Sequence, residues 1–537
     1  MKIHPAIQLK FVVCSLCLAI CVSLSAQDIR EFEQFMKGIN DSFTTTKSEY
    51  TTDFESFRKR INNEFADYLA RQWEKMPVQP PVPSPSKPEP EPIVDNTPAS
   101  NSRPLPFVVP SLDIRESLSQ PKPLGEIAAK SADPAALLPD LGNILKNTVP
   151  VPEKPKDPVV NIPEKPVKEE PSEPEVEENF VSFSYLGNSC RVRVPADKNI
   201  IVNNGTNKSI AEAWKVLAGE EFNSILVDCL CIRRSLKLCD WAFYQFVCAF
   251  TEALYGNDSC NEAAVMQAYV LTQLGYKVRL AKYKSFVAPL LAFDNSIYFA
   301  PYTIIGNDKF YCFSKKFGEE SFQVCNFKFP EEQSLSTRMA GIPVAPESKN
   351  PSRVVVSKRY PSVKATVSTN KNLIGFYDTY PTCSWEFFAA ASLSDDVKAQ
   401  LYPSLKKAVA GKTEVEAANM LINFVQTGFE YQTDEEQFGR EKSFFGDEAF
   451  FYPYCDCEDR SILYSILVKD ILGLDVVLLE YPTHVATAVK FNKEVVGDYC
   501  NINGAKYVIC DPTYIGAPIG KSMPDMLISS AVIHSIR

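Results

Sequence analysis

The chain has 537 residues, 45% of them hydrophobic and 11% aromatic, enough for real cores spread over two to four domains. A formal charge of −10 and a pI near 5.2 exclude the basic footprint that nucleic-acid binding needs. The 16 cysteines are scattered without paired spacing to histidines, so no zinc framework and no cofactor site is expected.

Residues 1–26 read as a secretory signal. Lys2 and Lys10 precede an apolar run from Phe11 to Leu24, and Ser25-Ala26 supplies small residues before Gln27. The run is about 14 residues, short of the ~20 that span a bilayer. Cys21 follows the bulky Ile20, so cleavage after Ala26 is favoured over a lipoprotein anchor. The mature chain is therefore expected in the periplasm or outside the cell. Thirteen cysteines then remain, an odd number: most are expected as buried small hydrophobes, with at least one free.

Residues 27–76 carry an 11-residue repeat. Phe32, Phe43, Phe54 and Phe65 mark it, as do Phe35, Phe57 and Tyr68, and Ile39, Tyr50 and Ile61. Offsets of 0, 3 and 7 put these side chains on one helical stripe, and an 11-residue period gives a nearly straight seam. Such a helix either packs on its own protein or serves self-association or an envelope partner through residues 28–76. Residues 77–177 form a proline-rich, disordered spacer with stretches such as P-P-V-P-S-P-S-K-P-E-P-E-P.

Globular composition begins near Phe180 and divides into units at 178–345 and 350–537. In the first, strands are expected at Val181–Tyr185, Arg191–Val194, Lys277–Ala281, Phe286–Phe293 and Ser296–Tyr302. Helices are expected at Ser209–Leu217, Trp241–Leu254 and Glu262–Leu274. In the second, strands are expected at Val354–Val356 and Lys364–Phe376, then helices at Ser394–Val409 and Glu414–Thr427. A buried helix over Ser461–Leu472 should end at Gly473. Strands at Val476–Glu480 and His484–Phe491 precede a hairpin around Asn503-Gly504.

Only three histidines occur: His4 in the leader, His534 in the last four residues, and His484. His484 follows Cys457 by 27 residues and precedes Asp511 by 27. A cysteine at a helix start feels the positive helix end, which favours thiolate. Asp456, Glu458 and Asp459 oppose that unless they point away or pair with Arg460. A histidine on one strand and an aspartate at the end of the next can take the thiol proton and fix the imidazole tautomer.

The segments D-C-E-D-R-S, L-G-L-D-V-V, H-V-A-T-A-V and C-D-P-T-Y resemble the transglutaminase-like superfamily, over about 420–520 and more loosely over 350–537. The resemblance implies an α+β, papain-like unit, a cysteine-bearing helix on an antiparallel sheet. It makes Cys457 the nucleophile, His484 the base and Asp511 its orienter. Many relatives carry an aromatic where Val485 stands. The Cys457 backbone N–H is one expected oxyanion donor, with Gln437 or Tyr454 as the other.

The first unit repeats the theme: S-C-N-E-A-A-V-M-Q-A-Y-V-L-T-Q-L-G-Y at Ser259 to Tyr276 resembles the segment from Asp456, with Cys260 set against Cys457. No histidine occurs from 178 to 345, so this unit reads as a degenerate copy without a base. The sequence thus describes a secreted cysteine-dependent acyl-transfer enzyme acting on a peptide or protein substrate, as an amide hydrolase rather than a crosslinking enzyme. The alternative is a non-catalytic peptide-binding or envelope-scaffolding protein of the same fold.

Overall fold

The computed structural model describes residues 54–84, 94, 179–197, 199–257, 260–314, 321–524, 526 and 531–536. The signal segment, the first part of the 11-residue repeat and most of the spacer lie outside the described residues. The chain divides into two compact units, 1–65 with 132–176 and 66–131 with 177–537. Of the first, only residues 54–65 are described, and they are helical from 54.

Helix α1 covers 54–69, and in the second unit Ala66, Leu69 and Trp73 are buried. Tyr68 packs edge-on against Phe327, with ring centroids 5.6 Å apart. Where the repeat enters this unit, it therefore packs on its own protein. The helix does not reach 76. Pro77 disfavours helical backbone at the residue before it, and Glu74–Met76 forms strand β1.

A hairpin of β2 (Asn179–Tyr185) and β3 (Asn188–Val194) opens the globular region. Four helices follow: α2 (Asn207–Leu217), α3 (Asn223–Ser235), α4 (Asp240–Tyr255) and α5 (Asn261–Gln273). Residues 263–272 of α5 are all buried, as its apolar sequence requires. Strands β4 (Val278–Tyr283), β5 (Phe286–Ala292), β6 (Tyr302–Ile305), β7 (Asp308–Tyr311) and β8 (Phe322–Cys325) complete one sheet, ordered β1-β8-β4-β5-β7-β6. The strand expected at Ser296–Tyr302 begins only at Tyr302.

The chain continues through β9 (Arg353–Val356), β10 (Lys364–Val367) and α6 (Lys371–Asp378). The strand expected to reach Phe376 stops at Val367. The Asn370 side chain accepts from the backbone N–H groups of Asn372 and Leu373 and so starts α6 instead. Then come α7 (Trp385–Ala390), α8 (Asp395–Val409), α9 (Glu414–Gly428), α10 (Asp434–Phe438) and α11 (Cys457–Leu467), whose tail Val468–Leu472 is a π turn. Strands β11 (Asp475–Tyr481), β12 (His484–Lys490), β13 (Tyr499–Ile502), β14 (Ala505–Cys510) and β15 (Val532–Ser535) form a sheet ordered β13-β14-β12-β11-β15. Asn503 and Gly504 turn the β13–β14 hairpin with φ of 52° and 81°, as a type I′ turn needs.

All pairings between these strands are antiparallel, a mixed α and β architecture compatible with the α+β class. The two large sheets share one wiring. Read from the last strand, β8-β4-β5-β7-β6 matches β15-β11-β12-β14-β13. Each sheet follows a buried helix and a glycine at positive φ, Gly275 or Gly473. Each central hairpin closes on an equivalent pair, Tyr283 with Phe286 and Tyr481 with His484, and both Phe286 and His484 lie eleven residues past their glycine. The two sheets belong to one compact unit. Across it the Tyr380 hydroxyl donates to Thr337 O (2.6 Å), and Tyr298 N–H to Thr382 O (2.8 Å). Among the described residues, no helix is long and apolar enough to cross a membrane.

Candidate active site

Cys457 is the first residue of α11, and that helix is buried along its whole length. The Ser461 hydroxyl donates to Val485 O at 2.9 Å and ties the helix to β12. The Cys457 sulfur lies near the same strand, close enough for the Val485 N–H to favour its thiolate. It thus sits beside the peptide that joins His484 to Val485.

His484 opens β12 and stacks on Tyr481 across the turn, with centroids 6.2 Å apart and planes at 19°. Its Nε2 is 2.8 Å from Asp511 Oδ2, and both residues are buried. The other Asp511 oxygen accepts from the N–H groups of Thr513 (2.9 Å) and Tyr514 (3.1 Å). With a carboxylate on Nε2, the ring proton belongs there and Nδ1 carries the lone pair a base needs. Nδ1 is buried and has no hydrogen-bond partner.

Sequence reasoning passed over Gln426, near the end of α9. Its amide donates to the carbonyls of Asp511 (3.1 Å), Tyr514 (2.8 Å) and Ala517 (3.1 Å) and accepts from Gly516 N–H (3.2 Å). This one side chain holds the loop that carries the aspartate. A buried glutamine in an otherwise apolar stretch, M-L-I-N-F-V-Q, was the available signal.

The thiol differs from the expectation of a helix-favoured thiolate. Cys457 donates to Glu458 Oε2 at 3.2 Å, and burial, then Glu458 and Asp456, push its pKa well above the usual thiol range. Arg460 does not relieve these acids. Its guanidinium reaches the carbonyls of Phe429 (2.9 Å) and Gln426 (3.5 Å) instead. Cys457 is 1% exposed, so the resting site is closed and its thiol protonated.

Gln437 and Tyr454 are brought together. The Gln437 amide exchanges hydrogen bonds with the Tyr454 backbone, N–H to Oε1 at 3.3 Å and Nε2 to O at 3.4 Å. Tyr431, half-buried, lies close enough to Cys457 for the thiolate's charge to help raise its phenol, after burial. Cys455 faces the Glu430 carbonyl (3.9 Å). All thirteen described cysteines are free, ten of them buried.

The first half places different residues at the equivalent points. Asn261, the first residue of α5, accepts from Val287 N–H at 2.9 Å, and Cys457, the first residue of α11, lies near the corresponding Val485 N–H. Cys260 is the N-cap residue of α5, as Asp456 is of α11, and its sulfur accepts from Ala263 N–H. The structural match to Cys457 is thus Asn261 rather than Cys260, and Phe286 stands where His484 stands. The extra residues of the second copy before its glycine fall at the π turn, which takes more residues per turn. No protein-family model, curated protein or solved structure matches the chain.

Proposed function

We propose that this protein is a cysteine-dependent acyl-transfer enzyme of transglutaminase-like, papain-like type, acting as an amide hydrolase on peptide or protein material outside the cytoplasm. The observation that carries the reading is the buried His484–Asp511 pair, with Nδ1 left without a partner on the strand against which the Cys457 helix packs. In this reading His484 Nδ1 takes the Cys457 proton as sulfur attacks the acyl carbonyl. The proton passes to the leaving amine as the C–N bond breaks, and water then hydrolyses the thioester and restores the thiol. First-turn N–H groups of α11 have no intrahelical acceptor and suit the oxyanion. A substrate must displace the Cys457–Glu458 hydrogen bond and open the loop around Tyr431.

The closed site and the protonated thiol favour a second reading, a non-catalytic peptide-binding or scaffolding protein. Labelling with a thiol-reactive acyl mimic, resolved by peptide, separates the two. Enzyme chemistry requires labelling at Cys457 that falls at least tenfold in His484→Ala and disappears in Cys457→Ala. Labelling of Cys457 that is unchanged in folded His484→Ala sinks the acyl-transfer reading.

A further inference from the structure

The start of α11 and the loop around α10 gather five carboxylates: Asp434, Glu441, Asp456, Glu458 and Asp459. Oxygens of Asp434, Glu441 and Glu458 lie within 4.8 Å of one another, as do oxygens of Asp434, Asp456 and Asp459. The two sets share Asp434. Asp434, Asp456, Glu458 and Asp459 are at most 2% exposed.

Neither nearby cation bonds Asp456 or Glu458: Arg460 points to the Phe429 and Gln426 carbonyls, and Lys442 Nζ bonds Glu448 Oε1 at 2.6 Å. Backbone donors serve Asp434 and Asp459. Lys442 N–H reaches Asp434 Oδ2 (2.6 Å), and Phe444 and Asp456 N–H reach Asp459 (2.9 and 3.4 Å). Both Asp456 oxygens and Glu458 Oε1 are buried and have no hydrogen-bond partner. Leaving such groups unmatched costs several kcal/mol each, so a proton or a cation must occupy the cluster.

The donor set chooses between cations. It is all oxygen, which suits hard divalent ions rather than zinc or copper. We propose that Asp434, Glu441, Asp456, Glu458 and Asp459 form a binding site for a hard divalent cation such as calcium or manganese, flanking Cys457 on both sides in sequence.

Mn²⁺ is the probe, added to full-length protein after chelator treatment and followed by the electron paramagnetic resonance of the free ion. About one equivalent should disappear from the free signal, Ca²⁺ should compete, and the unfolding temperature should rise with metal. Asp434→Asn and Glu458→Gln should each weaken binding at least tenfold. Cys457→Ser should bind like wild type, which keeps this site distinct from the acyl-transfer reading. A free Mn²⁺ signal untouched by wild-type protein, with no thermal shift from Ca²⁺, overturns the proposal and leaves protons as the occupants. Undiminished binding in both acid variants overturns its location.

Discussion

Glu458→Gln tests whether the acid beside the nucleophile holds the thiol neutral. Glu458 Oε2 lies 3.2 Å from the Cys457 sulfur. Two unit charges at that distance repel by about 5 kcal/mol at an effective dielectric constant near 20, an upper bound of about four pH units. Glu458 is itself pushed well above the carboxylate range, by burial and then by Asp434 and Asp459, so part of that repulsion is already discharged by protonation. A shift of at least about one unit should survive, because glutamine removes the charge and offers an amide N–H that can donate to the thiolate. In chelator-treated protein the sign is fixed: Glu458 raises the thiol, so its loss lowers it. The assay is iodoacetamide alkylation of Cys457, resolved by peptide mass, from about pH 6 to about pH 10. Slow opening of the closed site scales the whole profile, whereas ionisation moves its midpoint. In wild type the rate should still be climbing at the alkaline end. In Glu458→Gln the midpoint should fall by at least about one unit, giving roughly tenfold faster labelling near pH 7.5. A midpoint that stays put or rises refutes the electrostatic account.

Three further outcomes follow from buried polar groups. Asp511→Ala strips partners from His484 Nε2 and from the Thr513 and Tyr514 N–H groups, and should cost about 3–5 kcal/mol in urea unfolding; an unchanged midpoint would contradict the pairing. Gln426→Leu leaves three carbonyls and the Gly516 N–H unmatched, and should lower stability by about 3 kcal/mol or more, read as a drop in the thermal midpoint. His534 lies between Glu386 (3.1 Å) and Glu480 (2.6 Å); burial lowers its pKa, but the two carboxylates outweigh that and raise it to about 9. Its contribution, roughly 3 kcal/mol, should be complete below about pH 6.5 and lost as pH rises through about 9. His534→Gln should remove that alkaline slope, and parallel pH profiles for variant and wild type would count against the clamp.

Elements with one dominant local signal were legible from sequence. The helix at Asp395–Val409 follows a Ser394 cap, and the β13–β14 hairpin follows Asn503-Gly504. Helix α3 was passed over, although Ile225, Leu226, Cys229 and Leu230 bury one face, because its cysteines and two arginines blur the apolar stripe. β15 was missed because its four residues gain meaning only beside β11. At the site, spacing named His484 and Asp511, and the structure pairs them. It could not show that Arg460 turns to backbone carbonyls or that Gln437 serves Tyr454, because rotamer choice follows contacts made far along the chain. The acidic cluster was half visible: Asp456, Glu458 and Asp459 stood out, but Asp434 and Glu441 reach them only through the fold of the preceding loop.

The two halves separate what this fold needs from what chemistry needs. In both, the amide that follows the hairpin's closing residue lies near the first residue of the buried helix. Asn261 accepts from Val287 N–H, and the Val485 N–H lies close enough to Cys457 to favour its thiolate, so the fold accommodates either side chain. The closing position itself tolerates a hydrocarbon, since Phe286 occupies it in the first half, where it is 40% exposed. Nothing in the wiring therefore requires an imidazole at His484, still less a buried one with an unpartnered nitrogen and a carboxylate on the other. A buried polar atom without a partner costs about 1–3 kcal/mol, and a phenylalanine there would avoid it. The first half bears no such cost at this position. The second bears it at the residue that the acyl-transfer proposal makes its base, so the contrast within a single chain is what that proposal would explain.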